Sequence, residues 1–314
     1  MRSKLVLLMA CLIGMLACKK DDNLPVDCKG ETVFQTVTED CVPIYFDNLP
    51  GPNMVEEISG DVRISVADCN PNDHSEILYV NRNDDEYALF TMNIENNQYS
   101  ILGTFAEFVV ATWMDDGWIY FVNGGIFQRI HPESNAIEVL ADDSFSYSLK
   151  RNYDGTQLIR DGLDSMEVRD LFGNTTMYPS IGSPLVDWGH PDGKILAVNG
   201  HLLDIYSDFE SAPLSLDVGQ DYIRGAVWTP DYTRVVFTTI GNTYLYHPET
   251  QEVTTLIESC NALSNRPQFT TESGIYLTHS DYQWIDSLHY EAAADLVIFD
   301  WQTATYEFID TPVE

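Results

Sequence analysis

Trp228-Thr229-Pro230-Asp231-Tyr232-Thr233-Arg234-Val235-Val236-Phe237 compresses a strand end, a turn and a new strand into ten residues. Pro230 presets φ for the turn, and the Asp231 carboxylate accepts hydrogen bonds from nearby backbone amides. Val235 to Phe237 then opens an apolar strand. The same order of events occurs at Trp188, where His190-Pro191-Asp192-Gly193-Lys194 leads into Ile195-Leu196-Ala197. Weaker copies follow Trp113 (Asp115-Asp116-Gly117), Arg151 (Tyr153-Asp154-Gly155) and Phe269 (Glu272-Ser273-Gly274). A first copy starts at Cys69, with Asn70-Pro71-Asn72-Asp73.

The anchors 69, 113, 151, 188, 228 and 269 are separated by 44, 38, 37, 40 and 41 residues. A second landmark recurs further along the unit: Arg129-Ile130-His131-Pro132-Glu133-Ser134 matches Leu245-Tyr246-His247-Pro248-Glu249-Thr250, and Phe299-Asp300-Trp301-Gln302-Thr303 fills the same slot. Short alternating strands follow each, and no convincing long amphipathic helix is legible. Units of about 40 residues with four strands each are propeller blades. The expectation is an all-β, six-bladed β-propeller over residues 61–314. Residues 28–60 lie outside the six units as an N-terminal extension. Val33 to Val37 and Val42 to Phe46 read as possible strands there, so a seven-bladed ring stays open.

The Trp-x-Pro-Asp-x-x-x-(apolar) element resembles the WD-like repeats of TolB-type six-bladed propellers. The resemblance covers about residues 60–310, is good in two units and degenerate in the others. It implies a fold and a broad habit of protein or saccharide contact, and it transfers no site.

The N-terminus sets the expected compartment. Arg2 and Lys4 precede an uncharged, mostly apolar run from Leu5 to Ala17, too short to span a bilayer and typical of a secretory signal. It ends at Met15-Leu16-Ala17-Cys18, which resembles the lipobox of bacterial lipoproteins, with Met15 where Leu is usual. That resemblance implies a signal peptide over 1–17, lipidation at Cys18 and an acylated tether over 18–27. Lys19, in place of the Asp that typically retains lipoproteins at the inner membrane, implies the outer membrane, on its periplasmic or cell-surface side. Multiple acylation holds a protein on a membrane stably without a transmembrane helix.

The chain carries a formal charge of −33, which becomes −35 when cleavage removes Arg2 and Lys4. Such acidity repels phosphate backbones and excludes nucleic acid as a partner. Cleavage also removes Cys11. With Cys18 lipidated, Cys28, Cys41, Cys69 and Cys260 remain for two disulfides in an oxidising compartment, with three possible connectivities. Closeness in sequence favours Cys28–Cys41, which leaves Cys69 with Cys260. No Cys-x-x-Cys pair supports zinc or redox chemistry.

Catalytic signatures are sparse. His131 and His247 begin equivalent turns and read as turn residues, not metal ligands. The acidic clusters Asp84-Asp85-Glu86, Asp115-Asp116 and Asp142-Asp143 lack the spacing of a calcium loop and read as solvated. No Gly-x-Ser-x-Gly occurs. No cofactor is expected. Carboxylate pairs need proximity in space and not in sequence, so an enzyme acting on saccharides or lactones at the channel mouth remains the alternative to a non-catalytic binding or assembly module.

Two sets of residues are candidates for ligand contact. Tyr282, Trp284 and Tyr290 fall in a long excursion, Ser280 to Leu296, that reads as a recognition loop. Arg63, Arg224 and Arg266 fall at or just before the innermost strands of the first, fifth and sixth units, which adjoin once the ring closes. Arginine forks there would form an anion-binding patch, unless Asp61, Asp221 and Glu258 pair with them.

Overall fold

The computed structural model describes residues 56–57, 63–83, 86–141, 148–161, 165–181, 185–219, 222–239, 241–258, 263–284, 289–309 and 311. They form strands, turns and loops, with no helix among them. A short strand β1 (Glu56–Glu57) precedes six blades. The first blade is β2 (Arg63–Asn70), β3 (Asp73–Asn83), β4 (Glu86–Asn93) and β5 (Gln98–Phe105), and the second is β6 (Val109–Trp113), β7 (Ile119–Asn123), β8 (Ile126–Ile130) and β9 (Ile137–Ala141). The third comprises β10 (Ser148–Arg151), β11 (Gln157–Asp161), β12 (Ser165–Asp170) and β13 (Thr175–Pro179). The fourth comprises β14 (Leu185–Asp187), β15 (Ile195–Asn199), β16 (Leu202–Tyr206) and β17 (Leu214–Asp217). The fifth has β18 (Gly225–Trp228), β19 (Val235–Thr238), β20 (Asn242–His247) and β21 (Glu252–Glu258). The sixth has β22 (Leu263–Thr271), β23 (Gly274–Trp284), β24 (His289–Asp300) and β25 (Thr305–Ile309).

Each blade is an antiparallel meander of consecutive strands, and its first strand is innermost. The inner strands touch in the order β2, β6, β10, β14, β18, β22 and back to β2, which closes a six-bladed ring. All six sequence anchors land at or near the inner ends of these strands.

The fully apolar strands follow from this geometry. A blade inside the ring has a neighbour on each face, so side chains on both sides of the pleat are buried. Ala226, Trp228, Val235 and Phe237 pack towards the fourth blade, with Leu196 and Leu203. Val227 and Val236 pack the other way, with Ile275, Leu277 and Val297 of the sixth. Six such core clusters occur among the described residues, one between each pair of neighbouring blades.

The Asp turns build as expected. Asp231 accepts the Thr233 amide at 3.1 Å and both the Thr229 and Thr233 hydroxyls, and Asp154 accepts the Thr156 amide at 3.0 Å and its hydroxyl. His131 and His247 open the outer hairpin turns: the Asn135 amide donates to the His131 carbonyl, and the Gln251 amide to that of His247. Asp116 pairs with Arg129 at 3.4 Å. Asp84, Asp85, Asp142 and Asp143 lie outside the described residues.

Two expectations change. Most of the Ser280–Leu296 stretch is not a loop: β23 runs on to Trp284 and β24 starts at His289, so the stretch is a hairpin arm in which Trp284 pairs with Tyr290. Its Tyr and Trp content suits a pleated ladder. The arm also binds neighbouring backbone, because β1 pairs with it in parallel at His289 and Tyr290, and β2 at Ala294. Cys69 is a free thiol buried against Phe269 and Tyr276, and its Sγ accepts Arg151 Nη2 at 3.3 Å. It lies near the end of β2 within this packing, and burial pushes its pKa up to about 12. Cys18, Cys28, Cys41 and Cys260 lie outside the described residues.

Candidate functional site

The residues just before the six anchors are Asp68, Thr112, Lys150, Asp187, Val227 and Gln268. Five are polar, and those five line a cavity of about 290 Å³ in the channel, with Arg151, Tyr153, Trp228, Tyr232 and His74 towards the mouth where the inner strands end.

Asp68 organises one side. Its carboxylate accepts the Thr112 hydroxyl at 2.6 Å, the Trp113 amide at 3.1 Å and the Cys69 amide at 2.8 Å. It also pairs with Arg151 Nε at 3.4 Å. Burial works against the Arg151 charge, but Asp68 and Cys69 hold its pKa above the ordinary value. Asp187 repeats part of the motif in the fourth blade: it accepts the Trp228 amide at 3.2 Å and the Gly189 amide at 2.8 Å. Burial nevertheless raises its pKa.

Lys150 spans the channel. From the third blade its Nζ donates to the Gln268 carbonyl of the sixth, directly opposite, at 3.3 Å. Burial lowers its pKa, against the pull of Asp187 and Asp68. Gln268 is itself fixed, accepting the Ala67 amide at 3.2 Å and donating to the Arg266 carbonyl at 3.2 Å.

Tyr232 guards the mouth. It follows the turn Asp in the position that Gly117, Gly155 and Gly193 occupy in other blades, and it shares their left-handed backbone with φ 56°. A tyrosine there is strained by about 1 kcal/mol or more. Its ring meets Tyr153 edge-on at 5.5 Å and His190 at 5.7 Å. Burial raises the pKa of its phenol, helped by Tyr153 and Asp187.

The arginine candidates separate into a pair and a remainder. Arg224 immediately precedes β18 and Arg266 lies in the neighbouring β22, both exposed to solvent, and each is an electrostatic neighbour of the other. Arg63 opens β2 with backbone partners Arg82 and Ala294; its side chain, and those of Tyr282, Trp284 and Tyr290, lie outside what is described. Asp61 and Asp221 are outside as well. Among the described residues no group of three or more His, Cys, Asp or Glu side chains could hold a metal ion.

No family model and no curated protein matches the sequence. Solved structures do. The C-terminal WD40 domain of Sif2 superposes with a TM-score of 0.52 at 13% identity, over 82% of this chain and 95% of that one. The fold is a WD40-like six-bladed β-propeller. A chain of the mitotic checkpoint complex gives 0.54 at 13% identity, over 90% and 88%. An oligogalacturonate lyase from Vibrio parahaemolyticus gives 0.50 at 12%, over 80% and 79%. Binding modules and an enzyme thus share this architecture, and at such identities the likeness concerns the fold alone.

The cavity residues other than the anchors were not picked out from the sequence. Their signal was present as the polar residue before five of the six anchors, and as a tyrosine at Tyr232 where three blades carry glycine.

Proposed function

We propose that the protein is a lipoprotein of the outer membrane, held by acylated Cys18, whose propeller binds a protein or saccharide ligand at one channel mouth without transforming it. The lipobox-like Met15-Leu16-Ala17-Cys18 supports the anchor, and the TolB-like repeat supports the envelope role. The observation that carries the binding reading is Tyr232: a strained aromatic on the rim of a cavity lined by all six blades, with Tyr153 beside it. Backbone strain persists where the surroundings impose it, and it gathers at ligand sites. Aromatic faces over a polar floor suit sugars and protein side chains alike.

A second reading rests on Lys150 and Asp187, whose proton affinities burial moves in opposite directions within one cavity. Such pairs serve proton transfer, so an enzyme acting on saccharides or lactones is the alternative.

One experiment addresses both. The full chain, Cys18→Ala and Tyr232→Gly are each expressed and fractionated, and ligands are captured from detergent-solubilised envelopes for mass spectrometry. The wild type should partition with membranes and Cys18→Ala should not. Tyr232→Gly should stay in membranes, fold with equal or greater stability, and lose the captured ligand. Retention of Cys18→Ala in membranes refutes the anchor, and unchanged capture by Tyr232→Gly refutes the mouth. Conversion of the captured ligand by wild type, abolished in Lys150→Met, selects the enzyme.

A further inference from the structure

From the placement of Arg224 and Arg266 we infer that the channel holds an oxyanion, a carboxylate or phosphate group of its ligand, between these two guanidinium groups. This deepens the binding reading above, on which it rests, by naming the chemistry of what enters.

Four observations converge. The first is how the two residues are held. The Arg224 amide donates to the Thr238 carbonyl at 2.7 Å, and the fully buried Thr238 donates its hydroxyl to the Asn265 carbonyl at 2.6 Å. One threonine therefore ties the start of β18 to the residue before Arg266. Gly225 leaves room for the stem of Arg266, whose Cγ lies 3.5 Å from where a Cβ would stand.

The second is charge. The chain has 49 acidic residues against 16 Lys and Arg, so a cation placed at random should find a carboxylate. Arg129, Arg151, Arg160 and Arg169 do find one, while Lys194 and Arg234 lie over the rings of Trp228 and Trp301 instead, and Lys150 donates to the Gln268 carbonyl. Among the described residues none lies within ion-pair distance of Arg224 or Arg266.

The third is neighbourhood. The charges acting on Lys150 include Arg266 and Arg151, and its ammonium reaches the Gln268 carbonyl next to the backbone of Arg266. Among the described residues, of Lys150, Arg151, Arg224 and Arg266 only Arg151 has a carboxylate within ion-pair distance, Asp68. One stretch of the channel therefore gathers several cations, beside the carboxylates of Asp68 and Asp187, inside a strongly negative protein. Like charges brought together destabilise the empty site, and a bound anion reverses the sign of that interaction.

The fourth is accessibility. Both arginines are open to solvent, while burial, and then Arg224, lower the Arg266 pKa. The stem of Arg266 is thus packed against Gly225 while the residue is reached by water. A planar fork with two in-line donors matches carboxylate and phosphate oxygens.

The test is isothermal titration of the detergent-solubilised full chain with sodium phosphate and with sodium acetate, each at ionic strength held constant with chloride. Saturable binding of at least one anion is expected. Acetate binding identifies a carboxylate site, and binding of phosphate alone a phosphoryl site. Arg224→Gln and Arg266→Gln should each weaken it by about tenfold or more. Arg234→Gln removes the same charge at a distance, against Trp301, and should leave it unchanged. The variants should melt no lower than wild type, since each removes a repulsion, so lost binding is not lost folding. Absence of binding above chloride, or undiminished binding in Arg266→Gln, overturns the inference. If Tyr232-dependent capture persists in Arg266→Gln while anion binding is absent, the binding module stands and only the anion site fails.

Discussion

Asp68 holds three inner strands together through one carboxylate: β2 through the Cys69 amide, β6 through Thr112 and Trp113, and β10 through Arg151. Its side chain is 12% exposed and that of Arg151 13%, so removal of the acid strands a buried guanidinium. Breaking such a pair costs about 3–5 kcal/mol, whereas Asp68→Asn keeps an acceptor and should cost about 1–3 kcal/mol. Urea denaturation of Asp68→Ala and Asp68→Asn should show that order; equal midpoints would mean that the charge of Asp68 is irrelevant. At this scale the sequence was half legible. Pro230-Asp231 and its copies announce turns because their chemistry is local, acting on amides two residues away. Asp68, Lys150 and Gln268 act on other blades, on residues about 44 to 200 positions distant. Apart from their place just before an anchor, nothing in their local sequence distinguishes them from solvated polar groups.

Between elements, the glycines of the Asp turns are alike in conformation and unlike in surroundings. Gly155 has φ +70°, and a Cβ there would meet the Asp115 amide nitrogen and Pro71 Cγ, both at 3.0 Å. Its carbonyl accepts that Asp115 amide, which docks the turn of the third blade on that of the second. Gly193 has φ +76° with nothing within 4 Å. Gly193→Ala should therefore cost only the backbone strain, about 1 kcal/mol, while Gly155→Ala adds a clash and should cost about 2–4 kcal/mol. Chemical denaturation of the two variants checks this, and equal losses would show that the inter-blade contact yields freely. Element boundaries were readable where both faces of a strand are buried, as in Val235 to Phe237. They were misread at Ser280–Leu296, where the length of the excursion suggested a loop. There the ladder between β23 and β24 extends past the blade and finds backbone partners in β1 and β2, a long-range pairing that composition does not encode.

For the molecule as a whole, the response to acid depends on carboxylates shifted in opposite directions. Asp73, Asp154, Asp170, Asp231 and Asp300 have pKa values below the ordinary 3.8. In Asp73, Asp170 and Asp300 the first cause is the hydrogen bond from Ser75, Asn174 or Thr303; in Asp154 and Asp231 burial opposes the shift and their Thr partners outweigh it. A depressed carboxylate stabilises the fold above its unfolded pKa, and this is lost only as the pH falls through the lower folded value. Asp187 is raised by burial, so its contribution has the opposite sign, improving as the pH falls through its folded pKa. Net repulsion in a chain of formal charge −33 also eases as other carboxylates protonate. As the pH falls from neutrality towards the ordinary carboxylate range the turn carboxylates remain ionised, while the raised Asp187 and the net charge move favourably, so stability should rise. Below about pH 3.8 the turns lose their acceptors and the ring should open cooperatively. Thermal melts of the full chain across this range should therefore peak on the acid side of neutrality. In Asp187→Asn the rise should shrink while the low-pH collapse stays in place. A monotonic fall in melting temperature from pH 7 downwards would overturn this account, because it would require the hydrogen-bonded turns to fail within a range where their carboxylates are still charged.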